Sequence, residues 1–182
     1  MSEARRKHTL YWTIVIVWVA IDVVTKAWAE STLLPQRIPH EVIGDFLRWT
    51  LVYNKGAAFG MHVGEWSRWI FTVLTIGALV MLAHLLRETR DGDTPRTLAL
   101  ALVTAGAIGN LIDRVRSSRG VIDFIDVGTE GWRFWTFNVA DIGVSCGAVL
   151  LAIVLWREEH TRHPVAAGSP SSTTQPSQPS AT

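Results

Sequence analysis

The sequence predicts an all-α membrane protein: a bundle of four transmembrane helices with a small β-containing region outside the bilayer. Three observations predict it. Four apolar blocks, at about 9–28, 67–86, 96–112 and 135–156, each approach the length that crosses hydrocarbon as a helix. Trp28, Trp66, Trp69, Trp132, Trp135 and Trp156 stand near block ends, where an interfacial aromatic belt belongs. The segments that follow the first and third blocks contain runs of strand formers instead of ordinary loop residues. The chain has 182 residues and a net charge of +1, so one domain is expected and no overall field argues for nucleic acid. That domain is read as residues 1–163. Residues 164–182, built from Pro, Ser, Thr, Gln and Ala, read as a disordered cytoplasmic tail.

The first block resembles a signal peptide, with Arg5-Arg6-Lys7 before it and Ala27-Trp28-Ala29 after it. Asp22 and Lys26 argue against cleavage, since charges are unwelcome in such a segment. Spaced i, i+4, they share a helix face and can pair. A retained first helix with a charged outer end is expected. The third block is rich in Ala and Gly, which let helices approach closely, so it should pack centrally. Mid-block Trp18 is read as a packing residue. Cys146, the single cysteine, is read as a buried, inert thiol. Cations divide evenly between the two sides, but the tight N-terminal basic cluster places the N-terminus inside. Four spans then put both termini in the cytoplasm and segments 29–66 and 113–134 outside. Phe46–Tyr53 and Arg133–Phe137 are predicted strands, and Asn54-Lys55-Gly56 a turn.

Several catalytic patterns are absent from the sequence. It contains no HExxH, the six histidines are scattered without ligand spacing, and no Gly-rich phosphate loop occurs, so neither a metal nor another cofactor is expected. Ser145 and His84 fall at different depths, which removes a Ser–His pair. What remains collects at the outer face: Asp22, Lys26, Asn54, Asn110, Asp113, Arg114, Asp123, Asn138 and Asp141. Carboxylates beside lipid are expensive and mark function. Asp141, six residues past Trp135, should lie about 9 Å deeper at helical rise. Two carboxylates there cannot both ionise easily, so they share a proton. One then activates water while the other protonates a leaving group. Asp113 and Arg114 are read as a structural ion pair. Asp126 rivals Asp123 for the second acid, and physics alone does not choose between them. The alternative class is a small cation- or proton-coupled transport protein. Polar residues gathered at one face, instead of through the depth of the bundle, argue against it.

The motifs occur in a telling order: Asp22-Val23-Val24-Thr25-Lys26, Asn54-Lys55-Gly56-Ala57-Ala58-Phe59-Gly60, Gly109-Asn110-Leu111-Ile112-Asp113-Arg114, Val121-Ile122-Asp123-Phe124 and Phe137-Asn138-Val139-Ala140-Asp141. Five such pieces on four spans resemble lipoprotein signal peptidase (signal peptidase II), a family of bacterial membrane aspartic endopeptidases. The resemblance implies that Asp123 and Asp141 are the catalytic pair. It implies substrate-binding or supporting roles for Asp22, Lys26, Asn54, Gly56, Asn110, Asp113, Arg114, Asn138 and Ala140, and no metal. The implied substrate is a diacylglyceryl-modified prolipoprotein, cut just before the lipidated cysteine by a monomeric enzyme of the bacterial inner membrane. The implied inhibitors are globomycin-like cyclic peptides. The outer strand region is expected to pair with the substrate's extended backbone near the cut.

Overall fold

A computed structural model describes residues 2–56 and 66–162. The chain runs α1 (Glu3–Thr32), β1 (His40–Ile43), β2 (Leu47–Asn54), α2 (Ser67–Glu88), α3 (Thr94–Arg116), β3 (Val121–Thr129), β4 (Trp132–Arg133) and α4 (Val139–Arg162). All four helices are long and apolar enough to cross a membrane. The four predicted spans are therefore present, each with somewhat different ends. The tail beyond Arg162 lies outside the described residues, as does the part of the second motif past Gly56.

α3 is the central helix, as its small residues predict. Half of its apolar window is buried within the protein, against 22% or less for the other three. Ala99, Ala101, Ala105, Gly106 and Gly109 line its buried face. Gly106 lets α4 come into backbone contact: a Cβ there would stand 2.2 Å from the Ala140 carbonyl oxygen and 2.9 Å from the Val144 nitrogen. Backbone atoms cannot yield as side-chain tips can. Gly106→Ala is thus expected to separate α3 from α4 and cost about 1–3 kcal/mol, read as a lowered melting temperature in detergent. An unchanged melting temperature would contradict the packing.

Ion pairs tie the start of α1 and the end of α4 to the α2–α3 connection and the start of α3 at one end of the bundle. Lys7 Nζ meets Asp91 at 2.8 Å and donates to the Thr89 carbonyl at 2.7 Å, and Arg96 meets Glu158 at 2.6 Å. Next to this end the core is apolar, built on Tyr11, Val15, Leu82, Leu86 and Leu100.

At the opposite end sits an antiparallel sheet in the order β1-β2-β3-β4. Its longest strand, β3, carries Asp123 and is buried at every residue from Val121 to Phe124, so its first half lacks the alternation that marks a half-exposed strand. β3 and the short β1 were not expected as strands. The predicted strand at 46–53 is β2, an inner strand pairing with both β1 and β3. Its register places Val52 opposite Asp123. The predicted strand at 133–137 is corrected: only Trp132–Arg133 pairs as a strand, with an isolated bridge from Phe137 to Ile125. A second core of Ala29, Leu33, Leu51, Ile122 and Phe124 seats the sheet on the end of α1.

Two further expectations are corrected. The fourth span does not begin at Trp135; α4 starts at Val139, because Phe137 is bonded to β3 and Asn138 caps the helix. Asp141 is therefore in the first helical turn, not six helical residues deep. Cys146 is exposed on the outer face of α4 instead of buried. The helix packs on α3 through Gly147 and on Trp18 of α1 through Gly143, which leaves position 146 pointing away from the bundle.

Candidate active site

The start of α4 builds the site. A helix leaves its first N–H groups without internal partners. Here Asn138 is the cap: its Oδ1 accepts from the Asp141 N–H at 3.0 Å, and Asp141 Oδ2 accepts from the Asn138 N–H at 3.2 Å. This reciprocal pair is a capping box with Asp at its third position. The intervening Ala140 N–H donates to Asp22 Oδ1 at 2.8 Å. α1 thus reaches across and satisfies α4, and a buried Asp22 is tolerated because it is used twice.

The second use is Lys26. The predicted i, i+4 pair is present, with Lys26 Nζ 2.8 Å from Asp22 Oδ2. The same ammonium lies 2.9 Å from Asp113 Oδ2 and donates to Asn110 Oδ1 at 3.1 Å. Asp113 therefore pairs with Lys26 and not with Arg114 as expected, and it also accepts from the Ile122 N–H at 3.2 Å. One turn of α3 carries Asn110 and Asp113 toward α1, whereas Arg114 projects into the cleft beside the Phe71 ring.

Asn110 links this charge cluster to the acids. Its Oδ1 takes hydrogen bonds from Lys26 and from Asn138 Nδ2, the latter at 3.1 Å. That fixes the amide's orientation and directs Nδ2 to Asp141 Oδ1 at 2.7 Å. Asn138 Nδ2 also donates to Asp123 Oδ1 at 2.7 Å, and the Asn54 side chain bonds Asp123 from β2. Gly56 (φ 109°) ends this turn, donating its N–H to Asn54 Oδ1 at 3.0 Å. A Cβ at this position would crowd Ser67 at 2.9 Å and Phe71 at 3.0 Å.

Asp123 and Asp141 both line a cleft of about 1360 Å³. Burial, and next the Asp141 charge, push the Asp123 carboxyl up to about 7. Its unfolded value is about 4. The raised value means that ionisation opposes folding. The stabilising effect of the neutral form is complete below about pH 4 and declines as pH rises toward about 7. Asp123→Asn should remove that decline, which melting curves from pH 4 to 8 would read; parallel curves for the two proteins would contradict it.

The rival acid, Asp126, lines the same cleft but has different partners. Asp126 is enclosed by Arg48, Thr50 and Arg133 and so is fully engaged in the sheet. A further cluster lies outside the motifs: the Arg119 guanidinium stacks 4.4 Å over the Tyr53 ring, donates to its hydroxyl and pairs with Glu30. Nothing local in the sequence announces it, since the three residues come from α1, β2 and the turn between α3 and β3. Among the described residues, no group of three His, Cys, Asp or Glu is placed to hold a metal.

Four helices able to span a membrane, a small sheet at one end and three carboxylates, Asp123, Asp126 and Asp141, in a cleft beside it define a class: polytopic membrane proteins with an acid-lined cleft at one end of the bundle. The family model described as signal peptidase (SPase) II matches residues 14–157, and the chain belongs to that family. It is 42% identical over 151 residues to the lipoprotein signal peptidase of Hydrogenovibrio crunogenus, covering 80% of this chain and 83% of that protein. It is 40% identical over 152 residues to that of Pseudomonas aeruginosa, covering 81% of this chain and 88% of that protein. Two solved bacterial membrane enzymes share the fold. One has a TM-score of 0.75 at 33% identity, covering 84% of this chain and 90% of its own. The other has a TM-score of 0.71 at 34% identity, covering 81% and 93%.

Proposed function

We propose that Asp123 and Asp141 form an acid dyad with which this signal peptidase cuts diacylglyceryl-modified prolipoproteins just before the lipidated cysteine. The observation that carries the reading is the convergence of both acids, through Asn138, in one cleft. Asp141, in the first turn of α4 and accepting from two donors, takes a proton from water. The hydroxide attacks the scissile carbonyl, and the neutral Asp123 delivers its proton to the departing amide nitrogen. Arg114 in the same cleft supplies positive charge beside the reacting groups. No metal takes part.

The site lies at the outer surface of the bacterial inner membrane, with both termini cytoplasmic. The Arg5-Arg6-Lys7 cluster supports that orientation, and ion pairs hold the start of α1 and the end of α4 at the same end of the bundle. The enzyme works as a monomer. A substrate helix rising through the bilayer then presents its cut site at the depth of the acids. The β2 backbone at Val52–Asn54, which faces the cleft beyond the reach of β1, pairs with the extended substrate. Globomycin-like cyclic peptides fit the same cleft. Membership of a peptidase family does not support the transport alternative.

The test is a pH profile on a lipidated precursor with the unlipidated precursor as control. The rate should fall as pH rises through about 7, where Asp123 loses its proton. The unlipidated chain should be a poor substrate. A rate unchanged from about pH 6 to 9 would contradict the acid role of Asp123.

A further inference from the structure

Among the described residues, Asp126 is the one acid in the cleft wall that the proposed chemistry leaves without a part, and each of its oxygens is hydrogen-bonded. Its Oδ1 accepts from Arg133 Nη1 at 2.7 Å. Its Oδ2 accepts from Thr50 Oγ1 at 2.9 Å and from Arg48 at 3.3 Å. Both arginines also reach Asp45 Oδ1, at 2.7 and 2.8 Å. Four charges thus close a ring of alternating sign that joins the β1–β2 turn, β2, β3 and β4. The Asp126 side chain is only 8% exposed, whereas Arg48, Arg133 and Asp45 are 19%, 24% and 35% exposed, so water screens the ring mainly from the Asp45 side.

The ring sits where the register of the site is decided. β4 is two residues long, too short for its own ladder to fix how it lies on β3. From β4 the chain runs back along β3: the Phe134 N–H donates to the Val127 carbonyl at 2.9 Å, and Phe137 and Ile125 exchange hydrogen bonds at 3.0 and 2.8 Å. Asn138 and Asp141 follow at once. How far Asp141 lies from Asp123 therefore depends on the register of segment 132–137 against β3, and a slip of one residue would turn its side chains over. We infer that Asp126 and Arg133 are positioning residues, whose charge ring with Arg48 and Asp45 sets the register that brings Asp141 to Asp123. This rests on the dyad reading above.

The test uses the full-length protein and a lipidated precursor. Arg133→Gln is expected to lower kcat about tenfold with KM changed less than about twofold. It should also move the alkaline limb of the profile to lower pH. Asp123 is faced by Asp141 from α4, Lys26 from α1 and Arg114 from α3, with Asn54 and Asn138 bonded to it. Of these, Asp141 and Asn138 both hang from the ring-held segment, and the Asp141 charge, which raises the Asp123 value, outweighs the Asn138 hydrogen bond, which lowers it. An Asp141 set farther off repels the Asp123 charge less, so Asp123 ionises at lower pH. Asp126→Asn should act in the same direction, and Arg133→Lys, which keeps a cation on Asp126, should recover part of kcat. Wild-type kcat and an unmoved limb in Arg133→Gln would overturn the inference. So would an activity loss in either variant that merely follows its folded fraction. Asp141→Asn in the same assay separates the two readings: if it stays active, the dyad fails; if it is dead while Arg133→Gln is normal, only the positioning role fails.

Discussion

Asp123→Asn and Asp141→Asn are each expected to reduce kcat on a lipidated precursor by about 10³-fold or more, while the protein stays folded. The size follows from what each change removes. A positioned acid or base is worth about 10²–10⁴ in rate. In a dyad each group also depends on the other, so the double variant should be scarcely worse than either single one. The folded state should survive because an amide nearly matches the carboxyl in volume. At position 141 its oxygen can still accept from the Asn138 N–H or from Asn110. At position 123 it removes a carboxylate whose ionisation burial already disfavours. Cleavage by either variant within about tenfold of wild type would sink the proposed mechanism. Inactivity together with a collapsed melting transition would point instead to a structural role for the acids.

Lys26→Met should produce the largest loss of stability. Lys26 is 2% exposed and lies between Asp22 and Asp113 at 2.8 and 2.9 Å. Removing it leaves two buried carboxylates without their shared cation, a situation that costs about 3–5 kcal/mol. The damage also reaches the acids. Without the ammonium on its Oδ1, the Asn110 amide is oriented by Asn138 alone, so its Nδ2 is held on Asp141 less firmly. Residual folded enzyme should therefore have lowered kcat as well. Adding Asp113→Asn should restore part of the stability by removing one stranded charge. Melting in detergent within about 2 °C of wild type for Lys26→Met would show that the cluster is not the clamp its geometry indicates.

Much of this site is legible from residues alone, and the portion that is not has a common cause. The Asp22–Lys26 pair is visible because i, i+4 spacing is local to one helix. The Asn138-x-x-Asp141 spacing is visible too, although reading the fourth span from Trp135 places Asp141 too deep. Periodicity does not show that Phe137 would be claimed by β3 and that Asn138 would cap the helix. Asp113 is next to Arg114 in sequence yet pairs with Lys26, because one turn of α3 faces α1 with residues 110 and 113 and the cleft with residue 114. Asp126 competes with Asp123 until the register of β2, β3 and β4 surrounds it with Arg48, Thr50 and Arg133. Cys146 looks buried because its whole segment is apolar, and only the packing of α4 on α3 shows which side faces out.

By itself the sequence determines four spans, a central α3 of small residues, a bundle end that gathers charge and the family to which the motifs belong. These follow from contiguous hydrophobicity and short spacings, which are properties of neighbouring residues. The tertiary structure alone decides which carboxylates share the cleft, which are consumed by ion pairs, and which amide orients which acid. Those outcomes depend on contacts between residues tens of positions apart, such as Lys26 with Asn110 and Asn138 with Asp123. Strand register and helix approach create such contacts, and no local pattern encodes them.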